Sequence, residues 1–289
     1  MAIGKSKVII FGAGGGAKEL TCEINNIFYP VEIIAYTDND PKLQGTSLFG
    51  KPVIHPYKIA SFNYDQIIIA AMDTYNITNQ LTNKYGIKPD AINGTLFSHL
   101  GNNKARIAAL ENAAQLIHNN GVLGSVAELG VFQGEFAKHI NALFPERELY
   151  LFDTFEGFSG IDLQKEKEIG TKRVFERSYN YSGTSVELVM SKMKNPDKCI
   201  IRKGFFPETA NGVEDNFSLV SLDADLYQPM LEGLKYFYPK VSTGGYIFIH
   251  DFFGDNFTGT PKAVLDYKKE TDIKFVPIGD DCSVVIIKT

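Results

Sequence analysis

Phe217-Ser218-Leu219-Val220-Ser221-Leu222-Asp223-Ala224-Asp225-Leu226-Tyr227 is an apolar run that ends abruptly in acids. A second run, Tyr246-Ile247-Phe248-Ile249, ends the same way in His250-Asp251. Continuous apolar runs of this length read as strands buried on both faces, the habit of parallel sheets. Two such strands side by side place Asp223, Asp225, His250 and Asp251 along one edge of the sheet. The carboxyl edge of an open α/β sheet is where ligands bind. An oxygen-rich cluster there suits Mg²⁺ or a similar hard cation.

Outward from these two runs, the same grammar repeats. Further strands are predicted at Ser125–Leu129, Glu148–Phe152 and Cys199–Arg202, with the central pair at Phe217–Leu222 and Gly245–Ile249. Helices are predicted between them at Gly134–Phe144, Thr184–Met193 and Tyr227–Tyr238. The chain closes with Lys274–Ile278, a Gly279-Asp280-Asp281 turn and Ser283–Lys288, which read as a hairpin. Five parallel strands followed by a reversed terminal strand is the layout of a class I methyltransferase sheet. Ala127-Glu128-Leu129-Gly130-Val131-Phe132-Gln133-Gly134 is its first strand-to-helix turn. Gly130 permits close approach of a ligand, and Gly134 opens the helix. The next strand ends in Asp153, well placed for ribose hydroxyls. A ligand is therefore expected against Gly130 at this turn, with its ribose on Asp153. A surface acid at a strand end is the plainer reading of Glu128.

The chain begins with a smaller copy of the pattern. Lys7–Phe11 reads as a strand, Gly12-Ala13-Gly14-Gly15-Gly16-Ala17 as a turn, and Val31–Tyr36 as the next strand, followed by Asp38. This fits a G-x-G-x-x-G/A fingerprint with its downstream acid, at a helix N-terminus suited to a pyrophosphate. A third strand is expected at Ile67–Ala71 and a helix from about Tyr75 to Tyr85. The pattern ends by His99, too early for a full dinucleotide-binding domain. A small Rossmann-like domain over 1–99 and a second α/β domain over 100–289 are therefore expected. Gly101-Asn102-Asn103-Lys104 marks the boundary. Ile107, Leu110, Ala114 and Ile117 then recur at helical spacing, either packing on the second domain or a partner subunit, or simply joining the two domains.

Five motifs now stand in order: Glu128–Gly134, Asp153-Thr154-Phe155-Glu156-Gly157-Phe158, Gly204-Phe205-Phe206-Pro207-Glu208-Thr209, Asp223–Tyr227 and His250-Asp251-Phe252. Together they resemble the macrocin O-methyltransferase family over roughly residues 105–289. The resemblance implies an S-adenosylmethionine-dependent, divalent-metal-dependent O-methyltransferase acting on a sugar, free, nucleotide-linked or in a glycan. It further implies that Glu128, Gly130 and Gly134 line the methionine and adenosine side of the cofactor with Asp153 on its ribose, that Asp223 and Asp251 are metal ligands, and that Asp225 is the general base. A cap on the helix starting near Tyr227 is the alternative role for Asp225. Where the family commonly carries two acids, this chain has His250-Asp251. His250 then stands in for a third acid, favouring Mn²⁺, Fe²⁺ or Zn²⁺ over Mg²⁺, or becomes the base if no metal is used. The amino-terminal part resembles the small nucleotide-binding-like domain found beside sugar-modifying enzymes of bacterial glycan clusters. A nucleotide is its expected ligand. Related enzymes with a helical amino-terminal extension often self-associate, so a homo-oligomer is a further expectation.

Composition bounds these readings. The 289 residues are 44% hydrophobic and 22% charged, ordinary for a globular chain, and the net charge of −5 offers no basic field for nucleic acid. Cys22, Cys199 and Cys282 lack CxxC spacing, as expected of reduced cytoplasmic thiols. No apolar run is long enough for a membrane span, and Met1–Lys7 leads straight into a strand without a signal-peptide core. The stretch between Thr154 and Gly183 has no strong apolar period and reads as a lid or a binding loop. Asp162–Glu168 forms a short charged helix within it, and Lys172, Arg173 and Arg177 are placed to meet phosphates or to form a solvated face. Two other function classes compete. One is an NAD-dependent nucleotide-sugar oxidoreductase or epimerase. Against it stand the small first fold and the expectation that the chain carries no Tyr-x-x-x-Lys pair. The other is a non-catalytic nucleotide-binding scaffold, which the acidic constellation argues against.

Overall fold

The structure, a computed structural model, describes residues 5–26, 29–71, 73–96, 102–158, 160–170, 181–253 and 258–289. They gather into two compact units that divide between Lys104 and Ala105. No helix among the described residues is long and apolar enough to cross a membrane.

The first unit holds a six-stranded sheet. Its strands are β1 (Ser6–Phe11), β2 (Val31–Thr37), β3 (Ser47–Leu48), β4 (Lys51–Ile54), β5 (Gln66–Ile69) and β6 (Ile92–Asn93), in the order β3-β4-β2-β1-β5-β6. All neighbours are parallel except β3 and β4. Side chains alternate across a strand, so Val8 and Ile10 of β1 join one core cluster while Ile9 and Phe11 join the other. Helix α1 (Gly15–Asn26) covers the first face through Ala17, Leu20 and Ile24; α2 (Thr74–Asn79) covers the second through Ile77. Strands β1, β2 and β5 match the sequence expectation. The two-residue β3 and β6 and the four-residue β4 carry too little apolar pattern to be read from it, and the helix expected to run to Tyr85 is α2 followed by a π turn over Gln80–Lys84.

In the second unit, helix α3 (Asn102–Asn119) leads into β7 (Ser125–Leu129), α4 (Ala137–Leu143), β8 (Leu149–Asp153), α5 (Gly160–Ile169), α6 (Val186–Ser191) and β9 (Cys199–Lys203). Then come β10 (Phe217–Leu222), α7 (Tyr227–Phe237), β11 (Val241–Ile249), α8 (Gly259–Glu270), β12 (Phe275–Pro277) and β13 (Val284–Ile287). The sheet order is β12-β13-β11-β10-β7-β8-β9, with β13 antiparallel to both neighbours. This is a class I methyltransferase sheet with its reversed terminal strand. The chain leaves the middle in opposite directions after β7 and after β10, so a crevice opens at their carboxyl ends. A register shift between Phe217 and Leu219 puts Phe217, Val220 and Leu222 on one face and Leu219 on the other. Helix α3 packs on the Leu219 face through Leu110, Ala113, Ala114 and Ile117, so of the readings for this helix the structure shows packing on the second unit. Leu110 and Ile117 are fully buried, worth about 1.5–3 kcal/mol each.

Candidate active site

The cofactor side begins at the turn after β7. Gly130 has φ +85, and a Cβ built there would overlap the carbonyl oxygen of Asp223. Only glycine lets the β7 and β10 ends close up this far. Asp153, the last residue of β8, holds the turn: its Oδ2 accepts the Val131 and Phe132 N–H groups at 2.7 and 2.8 Å, and its Oδ1 accepts the Phe155 N–H at 2.7 Å. Oδ2 thus has both lone pairs engaged, while Oδ1 keeps one for a ligand hydroxyl. Gly130 and Asp153 both line an open cleft of about 650 Å³, together with Thr154, Gly157, Phe205, Asp223 and Asp225. Glu128 and Gly134 lie elsewhere. Glu128 is buried beneath the turn, its Oε1 3.2 Å from the Ser221 hydroxyl, and the hydrogen a Cβ would replace at Gly134 faces Val189 and Met193.

The acids converge as the apolar runs imply. His250 Nδ1 lies 3.1 Å from Asp223 Oδ1 and 3.3 Å from Asp251 Oδ2. It is not aligned for a hydrogen bond to either. One carboxylate oxygen from each of Asp223, Asp225 and Asp251 falls within 4.8 Å of the other two, a donor set suited to a hard divalent cation. A second set of His250, Asp251 and Cys282 meets the same limit. Asp225 and Asp251 both sit at positive φ, +59 and +56, where a non-glycine residue is strained. Asp225 does not cap the helix after it: the cap position is Leu226, and the free Tyr227 N–H donates to Glu166 of α5.

Charge is balanced inside the cluster. Helix α3 carries Arg106 onto the Leu219 face, where Ser221 and Asp223 continue the alternation. Arg106 donates from Nη1 to Asp223 Oδ2 at 3.0 Å and from Nη2 to Ser221 Oγ at 3.3 Å, and its guanidinium lies 3.9 Å from the Phe136 ring centre. Burial pushes against ionisation of Asp223, yet the His250 and Arg106 charges outweigh it and hold the carboxyl below its usual range. Asp251 is lowered in the same way, with burial opposed by His250. Burial and then the Asp251 charge raise Asp225 well above normal. His250 is raised despite burial, chiefly by Asp223. Glu128 is lifted by burial to about 8, with Arg106 pulling the other way.

Sequence reasoning missed three of these residues. Arg106 and Glu166 come from helices read only for apolar spacing or surface charge, and Cys282 was counted as an unremarkable thiol. Lys172, Arg173 and Arg177 lie outside the described residues. A Tyr-x-x-x-Lys spacing does exist at Tyr236 and Lys240, but both side chains donate to the Val213 carbonyl at 2.9 Å and are a structural clasp.

Comparisons with known proteins agree with this geometry. The family model for Macrocin-O-methyltransferase (TylF) matches residues 68–284, and the model for C2185-like, N-terminal, matches residues 4–93. The chain is 26% identical over 160 residues to the demethyldecarbamoylnovobiocin O-methyltransferase of Streptomyces niveus, covering 50% of this chain and 60% of that one. It is 24% identical over 173 residues to the 8-demethyl-8-(2,3-dimethoxy-alpha-L-rhamnosyl)-tetracenomycin-C 4'-O-methyltransferase of Streptomyces olivaceus, covering 56% and 65%. The chain thus spans under two thirds of either relative. Among solved structures, the O-methyltransferase NovP superposes with TM-score 0.56 at 22% identity over 64% of this chain and 80% of that one. The calicheamicin methyltransferase CalS11 does so with TM-score 0.52 at 16% identity over 74% and 91%. At these identities the likeness is one of fold.

Proposed function

Because the chain belongs to the macrocin-O-methyltransferase (TylF) family, we propose that it transfers a methyl group from S-adenosylmethionine to a sugar hydroxyl. One observation carries this reading: the cleft lined by the Gly130 turn and Asp153 is also lined by Asp223 and Asp225, so a methyl donor seated there ends beside the acids. The Streptomyces olivaceus relative is named for 4'-O-methyl transfer to a rhamnosyl-bearing compound, which supports a deoxysugar or similar acceptor. Asp153 takes a ribose hydroxyl on the spare lone pair of Oδ1 while it holds the turn. Gly130 admits the cofactor; Glu128 and Gly134 support the turn from below and behind. A divalent cation, Mg²⁺ or Mn²⁺ in the simplest case, fits Asp223, Asp251 and their neighbour His250, where it would supply acidification of the acceptor hydroxyl. Asp225 then receives the hydroxyl proton on its carboxylate. Its raised pKa makes that carboxylate, once ionised, a stronger base than an ordinary aspartate. Arg106 keeps Asp223 ionised and aimed.

In the first unit, Asp38 holds the Gly12 turn as Asp153 holds the Gly130 turn, its Oδ2 accepting the Ala13 N–H at 2.7 Å. A pyrophosphate-bearing nucleotide is the ligand this turn suits, without hydride chemistry. All three cysteines are free, in keeping with a cytoplasmic setting.

The test is turnover of S-adenosylmethionine to S-adenosylhomocysteine against a panel of nucleotide-linked and glycan sugars, with calorimetric binding of the product. Methylated sugar is the expected outcome, and Asp225→Asn is expected to lower the rate roughly 10²–10⁴-fold while leaving product binding intact. A folded chain that binds neither form of the cofactor would sink the proposal.

A further inference from the structure

Cys282 sits in the turn between β12 and β13. Asp280, only 3% exposed, shapes that turn: its Oδ1 accepts the Cys282 N–H at 3.1 Å and the Ser283 N–H at 2.6 Å. From the other side the Phe253 N–H donates to the Cys282 carbonyl at 3.0 Å, tying the turn to the segment that follows Asp251. The thiol is thereby delivered to one place. Its Sγ lies 3.4 Å from His250 Nε2 and 3.4 Å from Asp251 Oδ1.

We propose that His250, Asp251 and Cys282 form a nitrogen, oxygen and sulfur site for a borderline divalent cation of the Zn²⁺, Co²⁺ or Fe²⁺ kind. This rests on no step of methyl transfer; it takes Asp251 and His250 from the acid cluster, so an ion here and a cation held by Asp223, Asp251 and His250 are alternative occupants. The spacing is the first argument. With Zn–S of about 2.3 Å and Zn–N or Zn–O of about 2.0–2.2 Å, the edge of a tetrahedral site is roughly 3.5 Å. Both thiol separations match that edge. The donor set is the second. Thiolate with imidazole selects Zn²⁺ and its neighbours, whereas Mg²⁺ takes oxygens. The third is the imidazole's other face. With Nε2 toward Cys282, Nδ1 faces Asp223 Oδ1 at 3.1 Å, the placement of a carboxylate behind a ligating histidine. Nδ1 is buried without an aligned partner, so the ring is held by charge and can turn slightly onto an ion. Three protein ligands leave a fourth position open. Binding forms a metal–sulfur bond, breaks S–H and releases the proton to solvent.

A thiol that merely donates to Asp251 is the competing account. An S–H is a weak donor, and that account gives no reason for Nε2 to stand at the same distance. None of the three residues lines the cofactor cleft, so cofactor binding and metal binding at this site can be measured apart.

The experiment uses the full chain, freed of metal by chelation. Titration with Co²⁺ is expected to give a near-ultraviolet thiolate-to-cobalt absorption saturating at one equivalent. Cys282→Ser is expected to abolish that absorption and to weaken Zn²⁺ binding by at least the roughly 10–100-fold that loss of an outer partner costs. A second readout needs no variant. Alkylation followed by peptide mass analysis reports each cysteine separately, with exposed Cys22 as internal reference and Cys199 slow because burial pushes its thiol up to about 11. Zn²⁺ is expected to protect Cys282 and leave Cys22 reactive, and Mg²⁺ to protect neither. Absence of the cobalt absorption, its persistence in Cys282→Ser, or equal protection by Mg²⁺ overturns the proposal. Loss of methyl transfer with the cobalt absorption intact would count against the catalytic reading alone.

Discussion

A glutamate in the middle of a buried strand must either keep its proton or have its charge held by a partner, and Glu128 stands between the two. It is 1% exposed in β7, paired in register with Ser221 of β10 and bonded to its hydroxyl. Burial lifts its pKa to about 8, while Arg106 works against the shift. A raised folded-state pKa fixes the sign of the pH dependence. Glu128 contributes full stability below its unfolded value of about 4.3, and loses it as pH rises through about 8. Over that window the folded chain binds the extra proton, so stability falls with pH at up to about 1.4 kcal/mol per unit. Glu128→Gln keeps the shape and removes the titration. Urea unfolding at about pH 5, 6, 7 and 8 is expected to show a shallower fall for the variant than for the parent. Identical slopes would mean that Arg106 holds Glu128 ionised throughout.

Three helices of the second unit meet at one carboxylate. Glu166 of α5 is fully buried, accepts the first free N–H of α7 at Tyr227, and fits only because residue 259 at the start of α8 is glycine; a Cβ there would overlap Glu166 Oε1. A carboxylate at a helix N-terminus satisfies an orphan donor and the helix dipole together. It also fixes the backbone immediately after Asp225, so α5 is coupled to the proposed base. Glu166→Ala is expected to cost about 1–2 kcal/mol and to admit proteolysis within α5. Glu166→Gln retains an acceptor and is expected to lose less. Equal stability of all three proteins in urea would remove the cap from the account. Glu166 also shows where sequence reading stops. The strands at 125–129 and 217–222, the terminal hairpin and the convergence of Asp223, His250 and Asp251 are written in local apolar runs, and were legible. Arg106 meets Asp223 across 117 positions of chain, and Glu166 meets Tyr227 across 61. Such pairs leave no periodic trace, and a short charged helix looks the same whether its acid faces water or a helix end. The two-residue strands of the first unit were missed for lack of pattern.

At the scale of the whole molecule, the chain builds the same device twice: a glycine turn after a central strand, held by an aspartate from the next strand over. In the first unit Gly12 has φ +108, a Cβ on it would stand 2.8 Å from the Ala70 carbonyl oxygen, and Asp38 bonds the turn. In the second, Gly130 has φ +85, a Cβ would overlap the Asp223 carbonyl, and Asp153 bonds the turn. Each substitution to alanine carries the same two penalties, a strained φ and a backbone clash, so each should disturb its own unit. The functional consequences should differ, because only the second turn shares a cleft with the acids. Gly130→Ala is expected to abolish S-adenosylhomocysteine binding in calorimetry and to remove methyl transfer. Gly12→Ala is expected to leave that binding within about twofold, since 1.4 kcal/mol would be needed for a tenfold change and no part of the first turn lines the cleft. Far-ultraviolet circular dichroism of both variants separates local loss from unfolding. If Gly12→Ala destroyed cofactor binding in a folded protein while Gly130→Ala spared it, the cofactor would belong to the first unit, and the assignment of Asp153 and the acid cluster to methyl transfer would fall with it.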